Sequence, residues 1–85
     1  MSFKTGETAQ LKCHSTGYPD PHIQWFKDGQ SYGQHKRTSV SPSGWTLNLR
    51  YLNVDDSGRY SCRVTNTLGS INRTFTVKVK GMIIL

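Results

Sequence analysis

The feature that most constrains the fold of this chain is an alternation of residue types in the segment DDSGRYSC, residues 55–62. Asp56, Gly58, Tyr60 and Cys62 occupy every second position of that segment. A period of two is typical of a β-strand, in which successive side chains point to opposite faces of the sheet. Tyr60 and Cys62 are therefore predicted to point to the same side, and Val64 follows them.

The rest of the chain alternates in the same way, in short segments that are separated by turn residues such as Asp28-Gly29. Seven or so short strands at this spacing indicate an all-β sandwich of two sheets. Residues 30–40 are polar and weakly patterned, which predicts one or two short edge strands. Arg73 shares the inward parity of the last strand, so we expect a β-bulge or a strand end there. The other predicted inward residues are Ala9, Leu11, Cys13, Ile23, Trp25, Trp45, Leu47, Leu49, Leu52, Ile71, Phe75, Val77 and Val79.

The length of 85 residues corresponds to one small domain. A domain of this size buries only about 60–65% of the surface that its unfolded chain exposes, so its core is marginal without a crosslink. Cys13 and Cys62 are the two cysteines, and they could form that crosslink or remain two free buried thiols. A disulfide would indicate an oxidising compartment.

The chain is strongly basic, with 11 Lys and Arg against 5 Asp and Glu and a net charge of +6. Small basic domains meet nucleic acid, anionic lipid or sulfated glycans. The positive residues are not interleaved with aromatic residues and match no nucleic-acid motif, so we expect no nucleic-acid partner. No apolar run is long enough to span a bilayer, so any membrane association is expected only through a parent chain.

The histidines and cysteines do not have the spacing of a catalytic or metal site. None of the three histidines lies at a motif spacing from a nucleophile or a carboxylate, so we predict no enzyme and no catalytic residue. The two cysteines are 49 positions apart, and the chain lacks C-x-x-C and H-x-x-x-H patterns. We therefore predict no metal site and no cofactor.

The spacing of Cys13, Trp25, Tyr60 and Cys62 resembles that of the immunoglobulin superfamily. The short strands, and the segment GYPDP before Trp25, make the chain resemble the intermediate set of this superfamily. Domains of this set are Greek-key sandwiches that are common in receptors and adhesion molecules. The resemblance implies a Cys13–Cys62 disulfide between the two sheets, with Trp25 packed against it.

The same resemblance assigns roles to the residues around Tyr60. Tyr60 would form a tyrosine corner, with its hydroxyl bonded to the backbone upstream. Asp56 would accept a bond from a cation at the end of the sandwich, either Lys36 or Arg37. Gly58 would let the chain enter its strand without a Cβ clash. The residues of this core signature are Trp25, Leu49, Asp56, Gly58 and Tyr60.

Residues 45–77 more narrowly resemble the second immunoglobulin domain of fibroblast growth factor receptors and of their receptor-like relative that lacks a kinase. The segments WTLNL, DSGRYSCRV and GSINRT support this resemblance, as does TGYPDPHIQWFKDGQ at residues 16–30. It implies an extracellular module in the ectodomain of a single-pass membrane protein. That module would have neighbouring immunoglobulin domains and a ligand of the fibroblast growth factor type.

The receptor resemblance also implies three sites. The first is an N-glycosylation sequon, NRT, at Asn72, whose side chain points outward by parity. The second is a heparan sulfate site, for which the candidates are Lys12, Lys36, Arg37 and Arg50. In the corresponding segment the receptors tend to have lysine at the positions that Glu7 and Gln10 occupy in this chain. The third is a growth-factor contact, with candidates Phe3, Lys4, Val79 and Lys80.

The boundaries follow from the end of the last alternating segment. Residues 1–81 are predicted to form one immunoglobulin-like domain, and residues 82–85, MIIL, to be a linker or an appended tail. A different function, that of an adhesion or structural immunoglobulin domain, is also consistent with the pattern. In that case the predicted protein-docking face of the sheet contains Phe26, Tyr32, Arg63 and Lys78.

Overall fold

The computed structural model describes residues 1–13, 21–33 and 37–81. Within these ranges the chain forms eight β-strands and one 3-10 turn at Val54–Asp56. The strands are β1 Ser2–Lys4, β2 Ala9–Lys12, β3 His22–Lys27, β4 Gln30–Ser31, β5 Thr38–Val40, β6 Thr46–Leu49, β7 Gly58–Asn66 and β8 Gly69–Lys80. The short strands β4 and β5 confirm the prediction for residues 30–40.

The strands form two sheets, which confirms the predicted all-β sandwich. One sheet has five strands in the order β1-β8-β7-β3-β4, and the other has three in the order β2-β6-β5. All pairs are antiparallel except β1 with β8, which run parallel. The edges of the larger sheet are β1 and β4, which are only three and two residues long.

One apolar core lies between the sheets. In β2 and β6 buried residues alternate with more exposed ones, as expected for strands with one face against a core. Trp45 precedes β6 and is half-buried. The buried core residues are Ala9, Leu11, Cys13, Trp25, Leu47, Leu49, Leu52, Tyr60, Cys62, Val64, Val77 and Val79.

The Cys13–Cys62 disulfide crosses this core, as the family resemblance implied. Cys13 follows β2 of the smaller sheet and Cys62 lies in β7 of the larger, with their Cα atoms 6.5 Å apart. Trp25 lies beside Cys62 in the β3–β7 register and is buried. Its Nε1 donates a hydrogen bond to the Gly44 carbonyl at 2.9 Å, which satisfies the polar atom of this ring.

Two predictions for β8 were wrong. The β7–β8 register is continuous and pairs Arg73 with Cys62, so there is no bulge and no strand end at Arg73. Ile71 was expected inward but is 52% exposed, and Phe75 is only half-buried. Their partners in β7, Val64 and Tyr60, are buried, so the position along the hairpin is not the reason. β8 lies nearer the margin of the larger sheet than β7 does, so its inward side chains are less covered.

Candidate functional site

A hydrogen-bonded cluster around Asp56 closes one end of the sandwich. The Arg37 guanidinium donates to the Asp56 carboxylate, with Nη1 2.9 Å from Oδ2. The same carboxylate oxygen accepts the Asn53 backbone N–H at 2.9 Å. Arg37 also donates to the Tyr51 carbonyl at 2.5 Å. Arg37 is therefore the cation that pairs with Asp56, one of the two predicted.

The Tyr60 hydroxyl forms the predicted tyrosine corner. It donates to the Asp56 carbonyl at 2.6 Å, four residues upstream, and the ring is fully buried. Burial raises the pKa of the Tyr60 phenol well above its ordinary range, and nearby Tyr32 and Asp56 raise it further. The phenol therefore stays protonated and remains a hydrogen-bond donor. These hydrogen bonds connect the 3-10 turn to β7.

Gly58 has the steric role that was predicted for it. A Cβ at this position would lie 2.9 Å from Oδ2 of Asp28, closer than an ordinary contact. The Asp28 carboxylate cannot move away freely, because its Oδ1 accepts the Arg59 backbone N–H at 2.9 Å. Asp28 thus connects the turn after β3 to the first residues of β7.

The growth-factor candidates come together at the β1–β8 edge. Parallel pairing sets Phe3 beside Val79 and Lys4 beside Lys80. Both lysines are exposed, and Phe3 is half-buried against the core. Val79 is only 4% exposed, so its side chain belongs to the core and not to a contact surface. Three of the four side chains are therefore accessible at this edge.

The heparan sulfate candidates do not form one compact cluster. Lys12 pairs with Thr46, the first residue of β6. Arg50 comes directly after the last residue of β6, four positions beyond Thr46. The two exposed side chains share the outer side of their sheet but are about 13 Å apart along it. Arg37 is bound to Asp56, and Lys36 lies outside the described residues. Glycan binding at these positions stays a prediction.

The alternative docking face differs from its prediction at Tyr32. Its ring packs edge-on against Tyr60, with centroids 5.7 Å apart, and its hydroxyl is 3.2 Å from the Thr38 hydroxyl. Tyr32 therefore faces the core side of the larger sheet. Phe26 is half-buried, while Arg63 and Lys78 are exposed.

The β7–β8 hairpin carries a positive charge that our sequence reasoning did not single out. No Asp or Glu occurs after Asp56, whereas Lys and Arg continue along both strands. That absence is the sequence signal that could have revealed this surface. The cations of the hairpin are Arg59, Arg63, Arg73, Lys78 and Lys80, all of them exposed.

Within the described residues, no cluster of His, Cys, Asp and Glu side chains could hold a metal ion. A shallow cavity of about 660 Å³ lies on the outer face of the larger sheet and is open to solvent. Hydroxyls and two charged side chains line it. In the part of the chain that the structure covers, no helix is long and apolar enough to cross a membrane.

Comparison with known proteins gives a consistent family. The sequence profile of the family described as "Immunoglobulin I-set domain" matches residues 1–79. Human fibroblast growth factor receptor-like 1 is 42% identical over 74 residues, which is 87% of this chain and 15% of that protein. Mouse hemicentin-2 is 44% identical over 64 residues, which is 75% of this chain and 1% of that protein. This chain therefore spans a small part of the curated relatives that it matches.

Solved structures give the same fold. A chimeric titin Z1Z2 structure superposes with a TM-score of 0.89 at 29% identity, covering 96% of this chain and 86% of that one. Extracellular domains 3-5 of Drosophila OTK superpose with a TM-score of 0.85 at 28% identity, covering 94% of this chain and 28% of that one. The two-sheet arrangement is therefore shared with both of these structures.

Proposed function

This chain belongs to the immunoglobulin I-set family, and we propose that it is an extracellular ligand-binding module of a fibroblast growth factor receptor or receptor-like protein. Its ligand would be a growth factor of the fibroblast growth factor type. The observation that carries the proposal is the 42% identity to human fibroblast growth factor receptor-like 1 over 87% of the chain. Neighbouring immunoglobulin domains and a single membrane span would then lie elsewhere in the parent chain.

The β1–β8 edge is the contact surface in this proposal. Parallel pairing of Lys4 with Lys80 supports it, because two like charges directly opposite each other are unfavourable unless a partner neutralises them. Phe3 supplies a partly exposed aromatic ring beside them. The Cys13–Cys62 disulfide supports the extracellular location, since such bonds persist in oxidising compartments.

The test is growth-factor binding, measured by surface plasmon resonance on a panel of immobilised fibroblast growth factors. Lys4→Glu combined with Lys80→Glu should weaken binding by about tenfold, because it reverses charge at the contact. Lys12→Glu combined with Arg50→Glu is the matched control, since it changes net charge equally on the other sheet. Equal losses for the two pairs, or no binding by the unaltered chain, would overturn the proposal.

Heparan sulfate is the proposed co-ligand of the same module, through Lys12, Arg50, Arg37 and Lys36. The exposed Lys12 and Arg50 on one sheet and the net charge of +6 support it. Such binding is electrostatic, so elution from a heparin column should require salt and depend on the number of charges. Lys12→Ser with Arg50→Ser should lower the elution salt more than Arg59→Ser with Arg63→Ser. A larger shift for the arginine pair would move the site to the β7–β8 hairpin.

We also propose that Asn72 carries an N-linked glycan. Its side chain is exposed in the middle of β8, and the sequon continues through Thr74. Secretion from mammalian cells should give a protein whose mass falls on treatment with peptide-N-glycosidase F. Asn72→Gln should have the lower mass before treatment, and identical masses for both proteins would contradict the proposal.

An adhesion function is the second candidate, and the 44% identity to mouse hemicentin-2 supports it. Chicken cell adhesion molecule DSCAML1 is also 41% identical, over 89% of this chain and 4% of that protein. Sedimentation separates the candidates. Homophilic adhesion predicts self-association of this chain without any growth factor, whereas the receptor function predicts a monomer that sediments faster only when growth factor is added.

A further inference from the structure

The shallow cavity on the outer face of the larger sheet lies outside the proposed growth-factor contact. Two neighbouring pairs of the β7–β8 register form its floor, Arg59 with Thr76 and Ser61 with Thr74. The turn after β3, Asp28-Gly29, forms its wall. All of this lining comes from β7, β8 and that turn, so the cavity does not depend on the edge strand β1.

The lining combines three hydroxyls with one carboxylate and one guanidinium. The Asp28 carboxylate uses Oδ1 to accept the Arg59 backbone N–H at 2.9 Å, and its Oδ2 accepts no hydrogen bond from the described residues. The Arg59 guanidinium is exposed and likewise has no partner among them. Charged groups form the stronger hydrogen bonds. The cavity therefore offers one strong acceptor and one strong donor, next to hydroxyls that can act as either.

An aromatic ring borders the same cavity. Phe26 pairs with Ser61 in the β3–β7 register, so the two side chains lie on the same, outer side of the sheet. Phe26 is half-buried, whereas its neighbour Trp25 is buried in the core. A sugar ring has hydroxyls around its rim and C–H groups on its faces, so it can hydrogen-bond polar groups while it packs against an aromatic ring. The lining and Phe26 together provide both kinds of contact.

The charge of the cavity favours a neutral sugar over a sulfated one. Asp28 and Arg59 line the same space, so their charges cancel. A sulfate group bound there would lie close to the Asp28 carboxylate, and like charges repel. The class of ligand that fits this lining is therefore an uncharged carbohydrate that is rich in hydroxyls.

The glycosylation sequon begins beside the cavity. Thr74, the third residue of the sequon, is part of the lining, and Asn72 lies two residues earlier on the same side of β8. At 3.3 Å per residue, the far end of the cavity at Thr76 is about 13 Å from Asn72 along the strand. An N-linked glycan of several sugar residues is long enough to span this distance. A ligand attached so closely has a high effective concentration, so weak contacts in an open cavity are sufficient to hold it.

We propose that this cavity is a carbohydrate-binding site for the chain's own glycan at Asn72. This role of the cavity rests on the glycosylation that is proposed above, and it gives the sugars nearest to the protein a docked position. The glycan crosses the hairpin from β8 toward the turn after β3. Arg59 and Asp28 bind its hydroxyls there, and Phe26 packs against one of its rings.

NMR of the secreted protein tests the docked position. The 85-residue chain is secreted from mammalian cells that are fed ¹³C-labelled glucose, so that relaxation of its sugars can be measured. The two sugars nearest to Asn72 should have order parameters of about 0.85, the value for a rigid backbone. The amide shifts of Arg59 and Gly29 should differ between this protein and Asn72→Gln, although both residues lie at the far side of the cavity from Asn72.

Arg59→Ala combined with Thr76→Val tests the contacts. The pair removes the guanidinium and one hydroxyl, keeps the Arg59 N–H that Asp28 accepts, and leaves the sequon intact. The order parameters of the two inner sugars should fall below about 0.6, the range of flexible groups. Arg50→Ala combined with Thr65→Val is the matched control, since both residues are exposed and lie outside the cavity. It should leave the inner sugars as rigid as in the unaltered chain.

Mass analysis separates this proposal from the glycosylation on which it rests. A glycan that peptide-N-glycosidase F releases, but whose inner sugars are flexible in the unaltered chain, would overturn the docking and leave the glycosylation standing. Absence of a glycan at Asn72 would overturn both. Equal order parameters in the Arg59–Thr76 variant and its control would also overturn the docking, because the cavity would then contribute nothing to holding the sugars.

Discussion

Asp56 takes part in two sets of hydrogen bonds, one through its backbone carbonyl and one through its carboxylate. The Tyr60 hydroxyl bonds the Asp56 backbone, and the Asp56 carboxylate bonds Arg37 and the Asn53 N–H. Asp56 is itself only 8% exposed, so its charge has to be satisfied by these partners. This arrangement fixes the 3-10 turn against the beginning of β7. It explains why a buried carboxylate is tolerated so close to the core.

Removing the Tyr60 hydroxyl tests the corner. Tyr60→Phe keeps the buried ring but loses the hydrogen bond, so we expect the free energy of unfolding to fall by about 1 kcal/mol. Urea denaturation followed by tryptophan fluorescence measures the change. Tyr51→Phe is the control, because Tyr51 is 71% exposed and its change should leave the midpoint unaltered. An unchanged midpoint for Tyr60→Phe would show that the hydroxyl contributes nothing.

The raised pKa of Tyr60 predicts a loss of stability in alkali. In the unfolded chain the phenol loses its proton near its ordinary pKa of about 10, while the folded protein keeps it. Above that pH the unfolded state binds fewer protons than the folded state, so the free energy of unfolding falls as the pH rises. The loss should begin at about pH 10 and continue toward the raised pKa of the folded protein.

Tyr60→Phe again supplies the comparison for this pH dependence. It lacks the titrating phenol, so its stability should fall less steeply than that of the unaltered chain in the same alkaline range. Urea midpoints measured at a series of pH values give both slopes. Parallel curves for the two proteins would show that Tyr60 is not the group responsible.

At the scale of elements, the β7–β8 hairpin organises the larger sheet. β7 pairs with β3 on one side and with β8 on the other, and β8 in turn pairs with β1. The hairpin begins at Gly58, beside the turn that carries Asp28, and the Asp28–Arg59 bond fixes that beginning. A disturbance at Gly58 therefore acts on the strand to which most of this sheet is attached.

Gly58→Ala should be destabilising for a steric reason. The new Cβ would lie 2.9 Å from the Asp28 carboxylate and would displace it from the Arg59 N–H. We expect a loss of about 1–2 kcal/mol, the cost of leaving one such donor unsatisfied. Gly33→Ala is the matched control, because its Cβ would meet only Val40 Cγ2 at 3.8 Å. Urea midpoints that change equally for the two alanines would refute the steric explanation.

At the scale of the whole molecule, one feature joins the two sheets and another distinguishes them. The disulfide joins them through the core, whereas the charge is distributed unevenly over them. The hairpin of the larger sheet contributes five of the 11 Lys and Arg residues and none of the acidic ones. The larger sheet therefore presents the more positive surface to a partner.

The disulfide is expected to contribute a large part of the stability. Cys62→Ala should lower the free energy of unfolding by about 2–5 kcal/mol, since it releases a crosslink between residues 49 positions apart. Cys13→Ala should cause a similar loss, because either change removes the same bond. Intact-mass analysis after alkylation without reductant checks the premise. Two alkylated cysteines in the native protein would contradict it.

Sequence alone determined the side of each strand on which a residue lies. The alternation around Tyr60 and Cys62, and that of Leu47 with Leu49, correctly predicted buried residues. The immunoglobulin spacing then correctly implied the pairing of Cys13 with Cys62. The alternation is a local property of each strand, because the pleat repeats every two residues whatever lies opposite the strand. The cysteine spacing is a property of the family.

Tertiary structure alone decided how deep each of those residues lies and which partner it meets. Ile71 has the same inward parity as Val77, yet it is exposed, whereas its partner Val64 in the neighbouring strand is buried. Arg37 pairs with Asp56, a choice that parity could not make between two adjacent cations. Burial and pairing are properties of two elements together, so the pattern of one strand does not contain them.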